Sequence, residues 1–131
     1  MAAIIFLTLE HVLRVHERVV KLYGGSDGIR DVKLIESAIA LPQQGFGGQY
    51  VHKSLAEMAA AYLFHLTKNH GFVDGNKRTG FVAALTFLEM NDIDTDGIDE
   101  NEMEAITRAV ADGTGEKQAV IDFFVSRVRS E

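Results

Sequence analysis

The sequence predicts an all-α bundle of about six helices around two central, buried ones. Three observations predict it. Apolar residues recur with helical spacing along most of the chain. Two segments are apolar on nearly every face, as a helix enclosed by other helices must be. No stretch alternates with period two for long enough to demand a sheet.

The elements follow in order. After Thr8, a plausible N-cap, Leu9, Val12, Leu13, Val19, Val20 and Tyr23 form one apolar stripe bridged by His16, and Gly24-Gly25 stops the helix. Asp31 can cap a short second helix carrying Leu34, Ile35, Ala38 and Ile39, ended by Pro42. Gln43 to His52 holds three glycines around Phe46 and Tyr50, which excludes regular helix and suggests a mobile flap. Ser54 and Glu57 read as a capping box opening a helix to about Asn69, apolar almost all round from Ala56 to Leu66. A loop from His70 to Gly75 leads into the second such helix, with Phe81, Val82, Ala83, Ala84, Leu85, Phe87 and Leu88. Asp99 with Glu102 reads as another capping box, opening a helix through Met103, Ile106 and Val110. Gly113 and Gly115 precede a last helix with Val120, Ile121, Phe124, Val125 and Val128.

Composition sets the limits of function. The 131 residues are one domain's worth, read as a single domain over 1–131, with 47% apolar and 24% charged residues as in soluble globular proteins. The absence of cysteine excludes a disulfide scaffold, a thiol nucleophile and cysteine-containing zinc sites, and fits a reducing, cytoplasmic setting. The apolar start, Met1 to Leu7, lacks a basic n-region and a small-residue cleavage site, so it reads as packed chain rather than a signal peptide. No run approaches the roughly 18 apolar residues of a membrane span. Nineteen acids against thirteen bases give a formal charge of −6, which argues against direct nucleic-acid binding through a global field.

The chemistry concentrates in one stretch, His70-Gly71-Phe72-Val73-Asp74-Gly75-Asn76-Lys77-Arg78-Thr79. Polar groups crowd between the two most apolar helices, where they need a reason. A helix starting near Gly75-Asn76 points unsatisfied N–H groups and partial positive charge outward, which makes an anion site. Gly75 allows close approach of a phosphate, Lys77 and Arg78 add charge, and Arg78 can fork onto phosphate oxygens. Asp74 is a hard oxygen ligand suited to Mg²⁺. His70 is the group there that takes a proton near neutral pH, so it is the candidate general base. Any one of these residues suits a bland helix start. Together they describe phosphoryl or nucleotidyl transfer to a hydroxyl.

This stretch resembles the signature of the Fic/Doc family, His-x-Phe-x-(Asp/Glu)-(Gly/Ala)-Asn-(Gly/Lys)-Arg. The likeness extends to Tyr23-Gly24-Gly25, Glu36-Ser37-Ala38-Ile39, Phe46-Gly47-Gly48-Gln49-Tyr50 and Asp112-Gly113-Thr114-Gly115-Glu116, which look like the Doc (death-on-curing) branch. The resemblance implies a Fic fold and the toxin of a type II toxin–antitoxin pair. It implies a protein kinase that transfers the terminal phosphate of ATP, with Mg²⁺, to a threonine of translation elongation factor Tu and so inhibits translation. His70 would be the base and Asp74 the Mg²⁺ ligand. Gly75, Asn76, Lys77 and Arg78 would hold the phosphates. Phe72 would anchor the loop, and Phe46, Gly47, Gly48, Gln49 and Tyr50 would hold the target.

The chain departs from the AMP-transferring members at Gly71, where they carry Pro, at Lys77, where they carry Gly, and at Phe81, where they carry a second Arg. The lysine is the Doc-like choice. No Ser or Thr is followed four residues later by Glu, so the self-inhibitory helix motif of many Fic proteins is missing. A separate antitoxin docking a helix in a groove near the site is therefore expected.

Other readings remain. AMP transfer to a protein hydroxyl is the alternative activity, and a non-catalytic Fic-fold binding protein is the alternative class. Asp92, Asp94, Asp96 and Gly97 match the start of an EF-hand loop, but its twelfth position is Met103, so a solvated acidic turn is the simpler reading. Gly71 to Thr79 does not make a P-loop, and His11/His16 and His65/His70 are five apart rather than the four of a helical zinc pair.

Overall fold

The structure, a computed structural model, describes residues 3–128, so Met1 and Ala2 of the apolar start lie outside it. Leu7, at the other end of that start, is 1% exposed and donates its N–H to the Tyr62 hydroxyl at 3.0 Å. Six helices appear where the periodicity predicts them: α1 Leu9–Tyr23, α2 Val32–Ala40, α3 Leu55–Asn69, α4 Asn76–Met90, α5 Glu100–Asp112 and α6 Lys117–Arg127.

Local chemistry sets their ends. Thr8 accepts from the His11 N–H, and His11 Nδ1 accepts from the Thr8 N–H, a reciprocal cap in which histidine takes the place of glutamate. At Gly24 the chain turns to φ 87°, which ends α1. Asp31 caps α2 by accepting from Lys33 N–H at 3.0 Å. Pro42 lies in a short 3₁₀ turn, Leu41–Gln43, that continues from α2. Ser54 and Asp99 cap α3 and α5 as expected, but neither box is reciprocal. Glu57 takes the Lys53 N–H instead, and Glu102 is drawn off by the forked guanidinium of Arg127 at 2.7 and 3.0 Å, which ties α5 to α6.

One small element goes beyond the expectation. The glycine-rich segment contains a small antiparallel hairpin, β1 Gly45–Phe46 and β2 Gln49–Tyr50. Two residues per strand are too few for period two to register in a sequence. The turn is legible afterwards: Gly47 (φ 61°) and Gly48 (φ 80°) both have the positive φ that a type I′ turn requires.

The two central helices are α3 and α4, as the all-round apolar pattern predicts. Met58, Ala59, Ala60, Ala61, Tyr62 and Leu63 of α3 and Ala83, Ala84, Phe87 and Leu88 of α4 are buried. Small residues let the axes approach closely. A Cβ at Gly80 would fall 2.5 Å from Thr67 Oγ1 and 3.1 Å from the Leu63 carbonyl. The outer helices complete the cover, with α2, α5 and α6 on α3 and with α1 and α5 on α4. This stacking puts the α3–α4 loop at one end of the core, between the end of α1 and the start of α2. Met103 is 1% exposed in the core, so it offers nothing to the acidic turn, where Asp94 accepts from Asp96 N–H. Among the described residues, no group of three or more His, Cys, Asp or Glu is placed to hold a metal ion.

Candidate active site

The loop between α3 and α4 is held by hydrogen bonds at almost every carbonyl. Those of Asn69 and His70 accept from the Arg30 guanidinium at 3.1 and 2.7 Å. Gly71 O accepts from the N–H groups of Arg30 and Asp31 at 2.8 and 2.9 Å. The peptide of Phe72 is closed by the Asn76 amide, which accepts its N–H and donates to its carbonyl, both at 2.9 Å. Val73 N–H donates to Gly28 O at 2.9 Å, and Asp74 O accepts from His16 Nε2 at 2.8 Å.

Gly71 has no alternative here. A Cβ would strike Ile35 Cγ1 and come within 3.2 Å of Asp31 O, which accounts for glycine directly after His70. Gly75 adopts φ 78°, ψ 16° and leads into α4 with no side-chain cap. Consequently the N–H groups of Asp74, Gly75, Asn76, Lys77 and Arg78 have no acceptor among the described residues; Thr79 N–H is the first to bond back, to Gly75 O. A row of free donors at a helix N-terminus, with a lysine and an arginine beside it, attracts an anion.

Two cavities meet at this row. One, of about 400 Å³, is lined by His70, Asp74, Gly75, Asn76 and Lys77 together with Thr67, Lys68, Val73 and Ala111. The other, of about 360 Å³, shares Gly75, Asn76 and Lys77 and adds Arg78, Phe81, Tyr23, Val19, Gly24, Glu104, Thr107 and Arg108. The structure thus brings His70, Asp74, Gly75, Asn76, Lys77 and Arg78 to one place. His70 is an exposed C-cap of α3 in the left-handed region (φ 54°). The Arg78 guanidinium lies over the Tyr23 ring at 3.9 Å, and among the described residues it makes no ion pair.

Two expected residues, Asn76 and Asp74, have side-chain atoms already engaged within the protein. The Asn76 side chain is committed to Phe72, so what it can offer a phosphate is its backbone N–H. Asp74 uses Oδ2 on the Ser26 N–H at 3.0 Å, leaving Oδ1 as its open ligand. Phe72 is 1% exposed under the His16 ring, in a position to anchor the loop. None of Phe46, Gly47, Gly48, Gln49 and Tyr50 lines either cavity. Phe46 is 87% exposed, and Tyr50 packs edge-on against Phe6 at 5.4 Å.

The sequence gives no sign that Arg30 and Ser26 hold the loop from outside it, and it shows His16 only as a residue within the helical stripe, not as a partner of the loop. A histidine that bridges an apolar stripe, as His16 does, is the available signal. The other histidines have separate places. His11 caps α1. His52 and His65 are packed away from the loop, where burial lowers both pKa values, that of His65 to about 4, with Lys117 and His52 adding to the effect on His65.

The helical core, with its His-to-Arg loop at an uncapped helix N-terminus, agrees with the Fic fold that the sequence implied. The Fic/DOC family profile matches residues 6–88, and the chain belongs to that family. It is similar to the protein named Toxin Doc from Mycolicibacterium smegmatis, with 40% identity over 92 residues covering 66% of this chain and 71% of that one. No helix among the described residues is long and apolar enough to cross a membrane.

Proposed function

We propose that this chain is the toxin of a toxin–antitoxin pair and an ATP-dependent protein kinase. In this reading it transfers the terminal phosphate of ATP to a threonine of elongation factor Tu in the cytoplasm and stops translation. The observation that carries the reading is the row of unpartnered N–H groups from Asp74 to Arg78, whose residues Asp74 to Lys77 line the cavity that also holds the exposed His70.

The residues divide the work by position. The N–H row receives phosphate oxygens without having to break bonds within the protein. Lys77 borders both cavities, so its ammonium reaches phosphates in either. Arg78 approaches from the second cavity with its plane held on Tyr23. His70 removes the proton of the acceptor hydroxyl, a contribution of about 10²–10⁴ in rate. Asp74 would hold Mg²⁺ through Oδ1, the carboxylate oxygen that Ser26 leaves open. When bound, that ion neutralises charge developing on the phosphates.

AMP transfer remains the alternative chemistry. Phe81, in place of a second arginine, gives the Arg78 cavity an apolar wall and weakens its hold on a full triphosphate in that direction. The toxin reading also has a surface for an antitoxin. A groove of about 880 Å³ along α1 and α4, lined by Val15, Leu22, Val82 and charged Arg14, Glu17 and Arg18, shares Val19 and Tyr23 with the Arg78 cavity. An amphipathic helix lying there would reach the site.

The deciding experiment supplies Mg·ATP labelled separately on the terminal and α phosphates to the protein with elongation factor Tu, using His70→Ala as control. Terminal label on the acceptor, lost with His70→Ala, is the expected result. Label from the α position alone makes the protein an AMP transferase, and no label even in whole lysate leaves a non-catalytic Fic fold.

A further inference from the structure

We infer that Arg30 is a positioning residue for His70, the device that aims the imidazole into the cavity. The inference rests on the reading of His70 as the base. His70 and Asp92 are the two non-glycine residues with positive φ among those described, and such a backbone persists when its surroundings hold it. Arg30 holds it from one side. Three successive carbonyls, those of Asn69, His70 and Gly71, accept from Arg30, the first two from the guanidinium and the third from its N–H.

Arg30 is in turn immobilised. Ile29 pairs with Phe72 in an antiparallel bridge, and Val73 N–H closes on Gly28 O. The next residue, Asp31, caps α2. A planar fork fits two adjacent peptides that point the same way, and a cation at the C-terminus of α3 also suits the helix dipole. The two peptides so held flank the Cα of His70. Their orientation therefore sets the direction of its Cα–Cβ bond and the aim of the imidazole.

The side chain is not what keeps the segment folded. Asn69 Nδ2 also donates to Leu34 O at 2.9 Å, and the backbone bonds between 28–31 and 71–73 need no guanidinium. Removing the fork therefore leaves the fold and frees the His70 peptides.

The test uses the full chain as Arg30→Gln and Arg30→Lys, with His70→Ala for reference. Transfer is followed from Mg·ATP to the acceptor, thermal midpoints are measured, and the ¹³Cα and ¹³Cβ shifts of His70 are recorded. Arg30→Gln is expected to lower kcat by about 10–100-fold, because misplacement of a reacting group by an ångström costs on that scale. KM for Mg·ATP should stay within about twofold, as the N–H row is untouched. Both variants should keep a thermal midpoint close to that of the parent, and Arg30→Lys recovers only part of kcat, since one ammonium cannot fork onto both carbonyls. The His70 carbon shifts leave their left-handed values in Arg30→Gln. Unchanged kcat and shifts overturn the inference, as does a kcat that follows the thermal midpoint alone across both variants. Full transfer by His70→Ala sinks the base assignment instead, and the carbon shifts, read without turnover, still decide whether Arg30 holds the residue.

Discussion

His16 lies flat on Phe72, with 3.7 Å between ring centroids and 8° between planes, and its Nε2 donates to the Asp74 carbonyl at 2.8 Å. A carbonyl can only accept, so Nε2 carries the proton. A residue of α1 thereby grips both the buried anchor of the loop and the peptide leading into Gly75. Replacing it with alanine should cost about 2–4 kcal/mol from the lost packing and the orphaned carbonyl. His16→Phe should keep the stack and cost about 1–2 kcal/mol. Urea unfolding checks both numbers. Steady-state kinetics should place the functional loss in KM for Mg·ATP, because the N–H row slackens first.

At Gly80 the constraint comes from packing. An added Cβ meets Thr67 Oγ1 and the Leu63 carbonyl, neither of which can retreat from the centre of the bundle. Gly80→Ala should destabilise by about 1–3 kcal/mol despite the better helix propensity of alanine. Gly97→Ala, where a Cβ meets nothing within 4 Å, should stay within about 0.5 kcal/mol. Equal midpoints for the two variants in denaturant would count against the close α3–α4 crossing.

Acid should weaken the fold through His65. Burial, with Lys117 and His52 adding, lowers its pKa from 6.5 to about 4 in the folded state. Between those values the unfolded chain binds the proton and the folded one does not, so stability rises with pH across that window and is lost as pH falls through it. With solvent screening of a ring that is only partly buried, the effect is about 1–2 kcal/mol. His52, also lowered by burial, has the same sign and steepens the slope. His65→Gln should flatten the pH dependence of the unfolding free energy between about pH 4 and 6.5. An unchanged slope would place the proton uptake elsewhere.

Tyr23 supports the Arg78 guanidinium from below. Tyr23→Ala removes a cation–π contact of about 0.5–1 kcal/mol and should raise KM for Mg·ATP by about two- to fivefold. Tyr23→Phe keeps the ring and should leave KM where it was. The pair of variants separates stacking from any role of the hydroxyl.

The helices and their central pair were legible because apolar periodicity records burial, and α3 and α4 are buried all round. The motif loop was legible because glycine, asparagine and charge are concentrated in a few residues. What was hidden depends on distance along the chain. Nothing near Arg30 says that its guanidinium reaches the end of α3, and His16 shows only as a histidine bridging a stripe. Asn76 reads as a phosphate ligand, yet its amide closes on Phe72, a local bond that residue type alone does not reveal. The hairpin at Gly45–Tyr50 was missed because its strands are shorter than one period of the pattern that announces strands.

The motif loop keeps nearly all its carbonyls occupied and leaves the N–H groups from Asp74 to Arg78 open, and that asymmetry has a consequence for control. A surface arranged this way meets an anion without rearrangement, because its donors already stand unpaired. Anything that covers the loop therefore competes with the anion for the same donors, and release follows the competitor's lifetime. The dose of whatever covers the loop, measured against the dose of the protein itself, then sets how much of it is at work at any moment.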